Sequence, residues 1–458
     1  MSDARFDAIV VGAGLSGLVS AFELQRRGRS VAVVDAGDAP GGVIGTIERE
    51  GFLVETGANS MLDNTPVLVD LFAQLGILDE RVYPEASASR RYVVKSGQLV
   101  ALPMSPAALL ASPIFSVRAK LALLREPFIP ACNADTEESI AAFARRRLGP
   151  EVLAYAIDPF VSGIHAGDPE QLSVSAAFPR LHALEQRHGS LIRGQLAVMR
   201  ERRKNGVTAT PRSFSFRRGM HTLPLALAAK LAHFFPRTRV AAVERHDGHF
   251  VLRTDAHAGL SARSVVIATP AHAAAAVVDS LAPAAAIALG AIDYPPVAVV
   301  ASAYRREDVA HDLAGFGFLA PGNEHRRILG TLFSSSLFPQ RAPPGHVLLT
   351  SFVGGSRNRA AATLPDDAIA TLVGEELHEL IGASHPCWTS IVRWPRAIPQ
   401  YTLGHDERIA AIDAASASLH GLRYCASWRD GVSVSDRVLS ARATATSIDE
   451  FLTATAAR

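Results

Sequence analysis

The chain contains 458 residues, of which 48% are apolar and 20% are charged, and its formal net charge is +2. This length predicts two or three domains with an ample core, and the near-neutral charge argues against a general role in nucleic-acid binding. The three cysteines, Cys132, Cys387 and Cys425, are too far apart for a paired-cysteine zinc site, and they favour a reducing compartment without a disulfide framework.

The first elements predict a dinucleotide-binding βαβ unit. A strand-like run over residues 9–11 leads into a turn and a helical pattern, and the turn reads Gly12-Ala13-Gly14-Leu15-Ser16-Gly17. In this motif the glycines allow a sharp turn, close approach of the backbone to a pyrophosphate, and tight packing of helix on strand. A second strand ends at Asp35, where a carboxylate can bind a ribose hydroxyl. The unit alone leaves flavin and nicotinamide both open.

A second glycine cluster favours a flavin. After Asp35 come the pair Gly41-Gly42, the strand-like sequence FLVET and the tight turn Gly57-Ala58-Asn59-Ser60. A nicotinamide cofactor has no need of this second cluster, whereas a cofactor with a ribityl chain and a tricyclic ring does. Here the sequence resembles the flavin amine oxidase superfamily, which places such segments along the ribityl chain and the ring. The arginine that usually follows the glycine pair in amine oxidases is Val43 in this chain.

Five longer segments, in matching order and spacing, resemble the protoporphyrinogen oxidase family: residues 158–181, 213–231, 329–358, 394–409 and 426–436. The resemblance extends from Phe6 to about Ile448. It implies an enzyme of haem biosynthesis with non-covalently bound FAD. Such an enzyme takes six electrons from protoporphyrinogen IX, passes them to three molecules of dioxygen, and releases hydrogen peroxide.

The resemblance also implies an α/β fold with three parts: a discontinuous Rossmann-like FAD-binding domain, a mixed-sheet substrate-binding domain and a helical membrane-associated insertion. The FAD-binding domain is expected over residues 1–78, 217–296 and 400–458. The substrate domain is expected over residues 79–90, 193–216 and 297–399. The insertion is expected over residues 91–192.

The resemblance implies that FAD contacts the first turn, the acid after the second strand, both later glycine segments and the C-terminal segment. These residues are Gly12, Ala13, Gly14, Leu15, Ser16, Gly17, Asp35, Ala36, Gly42, Gly57, Ala58, Asn59, Ser60, Val243, Trp394, Ala426, Val432, Ser433 and Val434. Val243 is expected to meet the adenine through its backbone. Trp394 is equally well explained as a core indole. Near the last segment, Cys425, Arg437 and Ala441 depart from the family pattern and leave the packing of the last helix open.

No nucleophile motif, metal-ligand cluster or carboxylate pair is visible, which suits a cofactor that carries the difficult step. Substrate contacts therefore come from the resemblance. Arg91 is expected to pair with a propionate, with Arg90 as the alternative. The expected porphyrinogen-lining positions are Phe160, Gly163, Phe316, Leu319 and Phe352, for which ordinary core packing is the competing explanation. His165 is interpreted as structural.

Residues 103–130 combine apolar clusters with Arg118, Lys120 and Arg125, as an interfacial helix pair facing anionic lipid would. A buried helical hairpin is the competing interpretation. Because no secretory leader or membrane-spanning run is recognised, we expect a cytoplasmic protein that is peripheral on the inner face of the cell membrane. The family further implies a homodimer and possible transfer of product to a ferrochelatase.

Three other functions are compatible with the sequence. A coproporphyrinogen III oxidase of the same fold would differ mainly in pocket breadth and propionate anchoring. A flavin amine oxidase would need an aromatic cage beside the flavin. A non-catalytic flavin-binding module would bind FAD that porphyrinogen does not reduce.

Overall fold

The computed structural model describes residues 4–103, 105–133, 136–204, 211–257 and 259–456. Predicted domain segments that include residues 1–3, 104, 134–135, 205–210, 258 and 457–458 lie partly outside the described residues. The strands are β1 Ala4–Val11, β2 Val31–Val34, β3 Thr46–Arg49, β4 Phe52–Glu55, β5 Met61–Leu62, β6 Arg81–Val82, β7 Arg91–Lys95, β8 Gln98–Ala101, β9 Ser213–Phe216, β10 His233–Phe235, β11 Val240–His246, β12 His249–Thr254, β13 Leu260–Ile267, β14 Val297–Arg305, β15 Gly317–Leu319, β16 Gly330–Leu332, β17 His346–Gly354, β18 Trp388–Trp394 and β19 Leu422–Tyr424.

The helices are α1 Leu15–Arg26, α2 Pro66–Leu75, α3 Pro106–Ala111, α4 Val117–Arg125, α5 Ile140–Leu148, α6 Pro150–Val152, α7 Asp158–His165, α8 Val174–Ala177, α9 Pro179–His188, α10 Leu191–Lys204, α11 Thr222–Ala228, α12 Ala271–Val278, α13 Pro283–Gly290, α14 Ser334–Leu337, α15 Asp366–Ile381, α16 His405–Ser416 and α17 Val434–Ala456. A π-helical turn, Leu153–Ile157, joins α6 to α7. Among the described residues, no helix combines the length and apolarity needed to cross a membrane.

The first sheet is assembled from separate stretches of the chain. Its order is β10-β2-β1-β13-β12-β11, with β19 also paired to β13. β10, β2, β1, β13 and β19 are parallel to one another, whereas β12 is antiparallel to both β13 and β11. Side chains alternate along β1: Ala8 and Val10 pack towards α1 and α17, whereas Ile9 and Val11 pack towards α12, α13 and α16. Helices therefore cover both faces, as predicted for a discontinuous Rossmann-like domain.

The second sheet has the order β18-β14-β17-β16-β15-β7-β8. It is mixed, as predicted, because β7 and β15 are parallel while the other neighbours are antiparallel. One face, carrying Tyr92, Phe318 and Val353, packs against α15 in a single core. On the opposite face, Val93 packs against Ile114 from the helical region.

The helical region occupies the chain between β8 and β9, from α3 to α10. Its predicted limits, 91–192, differ from the structure at both ends. Residues 91–101 form β7 and β8 of the second sheet, and α10 continues to Lys204, within the predicted substrate segment 193–216. The strand assignment was missed because β7 pairs with β15, which is remote in sequence.

Candidate active site

The first glycine turn forms a bare backbone surface between β1 and α1. Gly12 has a φ of +110°, and a Cβ there would lie 3.0 Å from the backbone just after β13. A Cβ on Gly17 would lie 1.9 Å from the carbonyl oxygen of Gly12. Both positions therefore require glycine, for the steric reasons predicted. The intervening residues Ala13, Leu15 and Ser16 are buried.

The later glycine segments lie against this turn. The Gly41 N–H donates to a carbonyl of the first turn at 2.8 Å, and a Cβ on Gly42 would be 3.4 Å from the Cα of Gly14. A Cβ on Gly57 would be only 2.1 Å from the carbonyl oxygen of Val43. The structure thus joins residues 12–17, 41–43 and 57–60 into one backbone surface, here named the cradle.

Trp394 links the cradle to the second sheet. Its Nε1 donates to the carbonyl oxygen of Thr56 at 2.7 Å, directly before Gly57. Asn59, whose Nδ2 donates to the Gly57 carbonyl at 2.9 Å, lines a small cavity together with Thr350 of β17. In the same turn, Ala58 and Ser60 are half-buried, and the Ser60 hydroxyl lies 2.9 Å from that of Ser213.

Asp35 ends β2, and its carboxylate is engaged by the backbone. It accepts hydrogen bonds from the N–H groups of Ala13 at 2.6 Å and Gly37 at 2.7 Å. A carboxylate has about four acceptor positions, so both bonds are compatible with a ribose hydroxyl as a further donor. Ala36 follows at the surface. Val243 lies on β11 at the sheet edge with a fully buried side chain, so only its backbone can face a ligand.

The C-terminal segment leads into α17. Ala426 is buried, and its N–H donates to the Asp430 carboxylate at 3.1 Å. Burial raises the pKa of Asp430 to about 6, although Arg429 opposes the shift. Val432 and Ser433 precede α17, which begins at Val434. The Ser433 hydroxyl caps the helix by accepting a hydrogen bond from the Asp436 N–H at 3.1 Å.

The residues that depart from the family pattern, Cys425, Arg437 and Ala441, lie in two different places. Cys425 and Ala441 are fully buried between α1 and α17, where their small side chains let the two helices approach. Arg437 instead reaches the cradle: its Nε donates to the Ser16 hydroxyl at 3.2 Å, and its Nη2 lies 3.5 Å from where a Gly14 Cβ would be. The sequence marked Arg437 as unusual but gave no sign of this contact.

Three of the six predicted substrate residues, Arg91, Leu319 and Phe352, share one face of the second sheet, opposite α15. Leu319 pairs with Gly330, which pairs with Phe352, so these residues form a row across three strands. Arg91 pairs with Gly317, two residues before Leu319, and lies on the same face. This face, here named the substrate face, also carries Trp394 on β18, in register with β14.

Several features of the substrate face leave room above the sheet. Leu319 and Phe352 are half-buried, whereas Phe318 on the opposite face is buried, so simple core packing does not describe the first two. Phe316 is also half-buried, and the guanidinium of exposed Arg91 lies 5.1 Å from its ring centroid. Gly330 was not predicted, because the need for a missing side chain between Leu319 and Phe352 emerges only from strand pairing.

Helix α7 closes over this face. A Cβ on Gly163 would lie 2.9 Å from the Leu319 side chain. Phe160 on the same helix is 45% exposed and lies 5.8 Å, ring to ring, from Phe178. Asp158 ties the helix to the sheet through a 2.6 Å salt bridge with Arg357. The structure therefore brings Gly163 to the substrate face, whereas the ring contact of Phe160 is with Phe178 of the helical region.

No ionisable group on this face has the marks of a general base. His165 is buried, and burial alone lowers its pKa to about 4, so the ring is neutral at physiological pH. That state agrees with the structural interpretation. Within the described part of the chain, no cluster of three histidine, cysteine, aspartate or glutamate side chains could hold a metal ion.

The cradle fits a flavin dinucleotide. Its glycines leave backbone exposed where a Cβ would clash, and the buried Oγ1 of Thr269, beside Gly12, has no hydrogen-bond partner within the described part of the chain. An orphaned hydroxyl next to a phosphate-type turn is explained by a polar ligand. Thr269 follows β13 between Ala268 and Pro270, and nothing in this short sequence marked it as a ligand-binding residue.

Comparison with known proteins agrees with this geometry. Residues 15–449 match the family of flavin containing amine oxidoreductases. The mitochondrial protoporphyrinogen oxidase of Nicotiana tabacum is 33% identical over 93% of this chain and 91% of its own. The coproporphyrinogen III oxidase of Bacillus subtilis is 27% identical over 95% of this chain and 96% of its own.

A solved structure from Exiguobacterium sp. 255-15, provisionally assigned as a protoporphyrinogen oxidase, shares the fold with a TM-score of 0.83 and 24% identity, covering 98% of this chain and 99% of its own. The flavin-containing family model and the dinucleotide cradle together identify the cofactor as FAD. The chain therefore belongs to the flavin-containing amine oxidoreductases, as an oxidoreductase whose relatives include porphyrinogen oxidases.

Proposed function

We propose that the protein oxidises protoporphyrinogen IX to protoporphyrin IX in haem biosynthesis. Six electrons and six hydrogens leave the substrate, and three molecules of dioxygen take them up and depart as three molecules of hydrogen peroxide. The observation that carries this proposal is the substrate face, which is apolar, bears a cation at one edge, and adjoins the cradle through Trp394. A large flat macrocycle with propionates has the matching chemistry.

The protein contributes mainly orientation. Bound FAD supplies the hydride acceptor for a methylene bridge of the substrate. Leu319 and Phe352 support the macrocycle from the sheet, and Gly163 of α7, which packs against Leu319, bounds the site at that edge. These contacts would orient one bridge of the substrate for reaction. The pyrrole N–H proton then leaves to solvent, and tautomerisation presents the next bridge. This chemistry requires a shaped apolar site rather than a catalytic base.

Arg91 anchors a propionate in this proposal. Its exposed guanidinium lies at the edge of the substrate face and is oriented by the Phe316 ring. A guanidinium binds a carboxylate through two parallel hydrogen bonds. Arg90, the alternative, precedes β7, and strand alternation directs it away from Arg91.

Coproporphyrinogen III is the second candidate substrate, because the Bacillus subtilis relative carries that activity in its name and aligns over nearly the whole chain. The two substrates differ in the number of propionates they present. Purified holoprotein should therefore be mixed with each porphyrinogen, first without oxygen to follow bleaching of bound FAD, and then with oxygen to follow porphyrin fluorescence and peroxide.

We expect protoporphyrinogen to reduce bound FAD faster than coproporphyrinogen does. We also expect one molecule of hydrogen peroxide for each pair of electrons transferred. Faster reduction by coproporphyrinogen would replace the first candidate with the second. Failure of both porphyrinogens to bleach FAD, with bleaching by a primary amine, would establish an amine oxidase instead. Bound FAD that none of them reduces would indicate a binding module.

We further propose that α4, α10 and Phe128 form a membrane-docking surface. The apolar side chains Val117, Leu121, Leu124 and Phe128 are 55% to 79% exposed, and Ile192, Leu196 and Met199 on α10 are 37% to 47% exposed. Arg193 joins the two groups, with its guanidinium 6.0 Å from the Phe128 ring centroid. Exposed Arg118 and Arg125 flank the apolar residues, which favours an anionic lipid surface over a neutral protein partner.

Docking there would place the protein on the cytoplasmic face of the membrane, close to where an apolar porphyrinogen dissolves. A homodimer and product transfer to a ferrochelatase stay predictions from the resemblance.

A further inference from the structure

Arg437 projects from the first turn of α17 into the cradle. Its Nε donates to the Ser16 hydroxyl at 3.2 Å, and Nη2 lies 3.5 Å from the position of a Gly14 Cβ. Gly14 is the residue whose missing side chain lets a pyrophosphate reach the backbone. The guanidinium therefore stands at the phosphate position of the motif.

Among the described residues, the Arg437 side chain has no salt bridge, and its only hydrogen bond is the one that Nε donates, which leaves Nη1 and Nη2 without a hydrogen-bond partner. Asp430 favours the charged guanidinium from nearby but forms no ion pair with it. Burial lowers the pKa of Arg437, although a guanidinium remains charged in proteins. The side chain is nevertheless only half-buried, so it lies in a crevice. An unpaired cation in such a place is costly unless an anion joins it.

The N-termini of α1 and α17 also favour an anion beside Arg437. Contacts between α1 and α17 advance in step, from Ser16 with Arg437 through Glu23 with Arg442 to Arg29 with Asp449, so the two helices are parallel. Their first turns consequently lie side by side at the cradle. The positive ends of both helix dipoles add to the guanidinium charge there.

We propose that Arg437 binds the FAD pyrophosphate and supplies, from α17, the cationic side chain of the cradle. The glycine pair offers none, because Val43 follows it. The unpaired Nη1 and Nη2 match two phosphate oxygens, while Ser16 holds Nε and sets the plane of the fork. The proposal rests on the cradle as the pyrophosphate site and does not depend on the identity of the substrate.

The test compares the dissociation constant of FAD between full-length wild-type holoprotein and variants. It is measured from the fluorescence of released FAD at several protein and NaCl concentrations. Arg437→Met should raise the dissociation constant about 10- to 100-fold, the effect of a charge-assisted hydrogen bond or two. Arg437→Lys should recover part of the loss, and the dependence on salt should weaken in Arg437→Met. The absorption spectrum of the FAD still bound should be unchanged, because the contact is with phosphate.

Arg442→Met is the matched control, since Arg442 lies on the same helix but pairs with Glu23 and Asp70. Its dissociation constant should stay within about threefold of the wild type. Should Arg437→Met fail to fold, Arg437→Gln replaces it. Unchanged or tighter FAD binding, or a shifted flavin spectrum at unchanged affinity, would overturn the proposal. Wild-type protein that holds no FAD would instead overturn the cradle itself.

Discussion

Leu319 lies between two glycines, and this arrangement shapes the substrate face. A Cβ on Gly163 would approach the Leu319 side chain to 2.9 Å, and one on Gly330 would approach it to 3.0 Å. Each added methyl group would push Leu319 into the space that the macrocycle is proposed to occupy. Single glycines can therefore control substrate fit without contacting FAD.

Gly163→Ala tests this control. Because alanine is favoured over glycine inside a helix by about 1 kcal/mol, the melting temperature should not fall, while KM for the porphyrinogen should rise about tenfold as Leu319 is displaced. Steady-state kinetics and thermal melting measure the two effects. Gly374→Ala on α15, where no atom lies within 4 Å of the new Cβ, is the matched control. Equal kinetics for both variants would contradict the proposed pocket.

Arg91→Ala should raise KM about tenfold with little change in kcat. The reason is that a propionate anchor contributes equally to ground-state and transition-state binding. Arg90→Ala, next to it but outside β7, should leave both constants near the wild-type values. If Arg90→Ala raises KM and Arg91→Ala does not, the anchor has been assigned to the wrong arginine.

At the scale of elements, α4 exposes Val117, Leu121 and Leu124, whereas Leu123 packs against a core cluster of the helical region. Of its residues only Ala119 is buried. A helix that contributed to the core would bury a continuous apolar stripe, so the competing interpretation of residues 103–130 as a buried hairpin does not describe α4. Met104, within that segment, lies outside the described residues.

The double variant Leu121→Glu, Leu124→Glu should lose binding to vesicles that contain anionic phospholipid. Each substitution removes an apolar side chain from the docking surface and adds a carboxylate that repels the anionic headgroups. Co-sedimentation with vesicles measures the loss, and activity in detergent should be retained. Ile287→Glu on α13 is the control, because Ile287 is 76% exposed but lies on the FAD-binding domain. Unchanged sedimentation of the double variant would refute docking through α4.

At the scale of the whole molecule, buried neutral histidines make stability depend on pH. Burial lowers the pKa of His165 to about 4, below the ordinary 6.5. Between these values the unfolded chain binds more protons than the folded one, so stability falls as the pH falls through that window. The unpartnered Nδ1 of His165 gives the folded state no means of holding the charge.

His165→Phe should therefore flatten the loss of stability between pH 6.5 and 4. Chemical denaturation at several pH values measures the slope, with the variant's own value at neutral pH as reference. His420→Phe, at an exposed position, should reproduce the wild-type slope. A wild-type slope in His165→Phe as well would mean that another group dominates acid sensitivity.

Sequence-based prediction was accurate where the contacting residues are close together in the chain, and it failed where they are far apart. The glycine turn was predicted together with its steric reasons because β1, the turn and α1 are adjacent in the chain. In contrast, β7 was assigned to the helical insertion, since only its pairing with β15 identifies it as a strand of the second sheet.

The sequence by itself determined a dinucleotide turn, a second glycine cluster that favours a flavin, and the resemblance to the family, because glycine spacing and motif order are properties of neighbouring residues. Tertiary structure alone decided that Arg437 reaches Gly14, that Leu319 lies between Gly163 and Gly330, and that the substrate face adjoins the cradle. Most of these contacts join residues that are far apart in the chain. They depend on strand register and helix packing, which follow from the burial of the whole apolar core rather than from any local pattern.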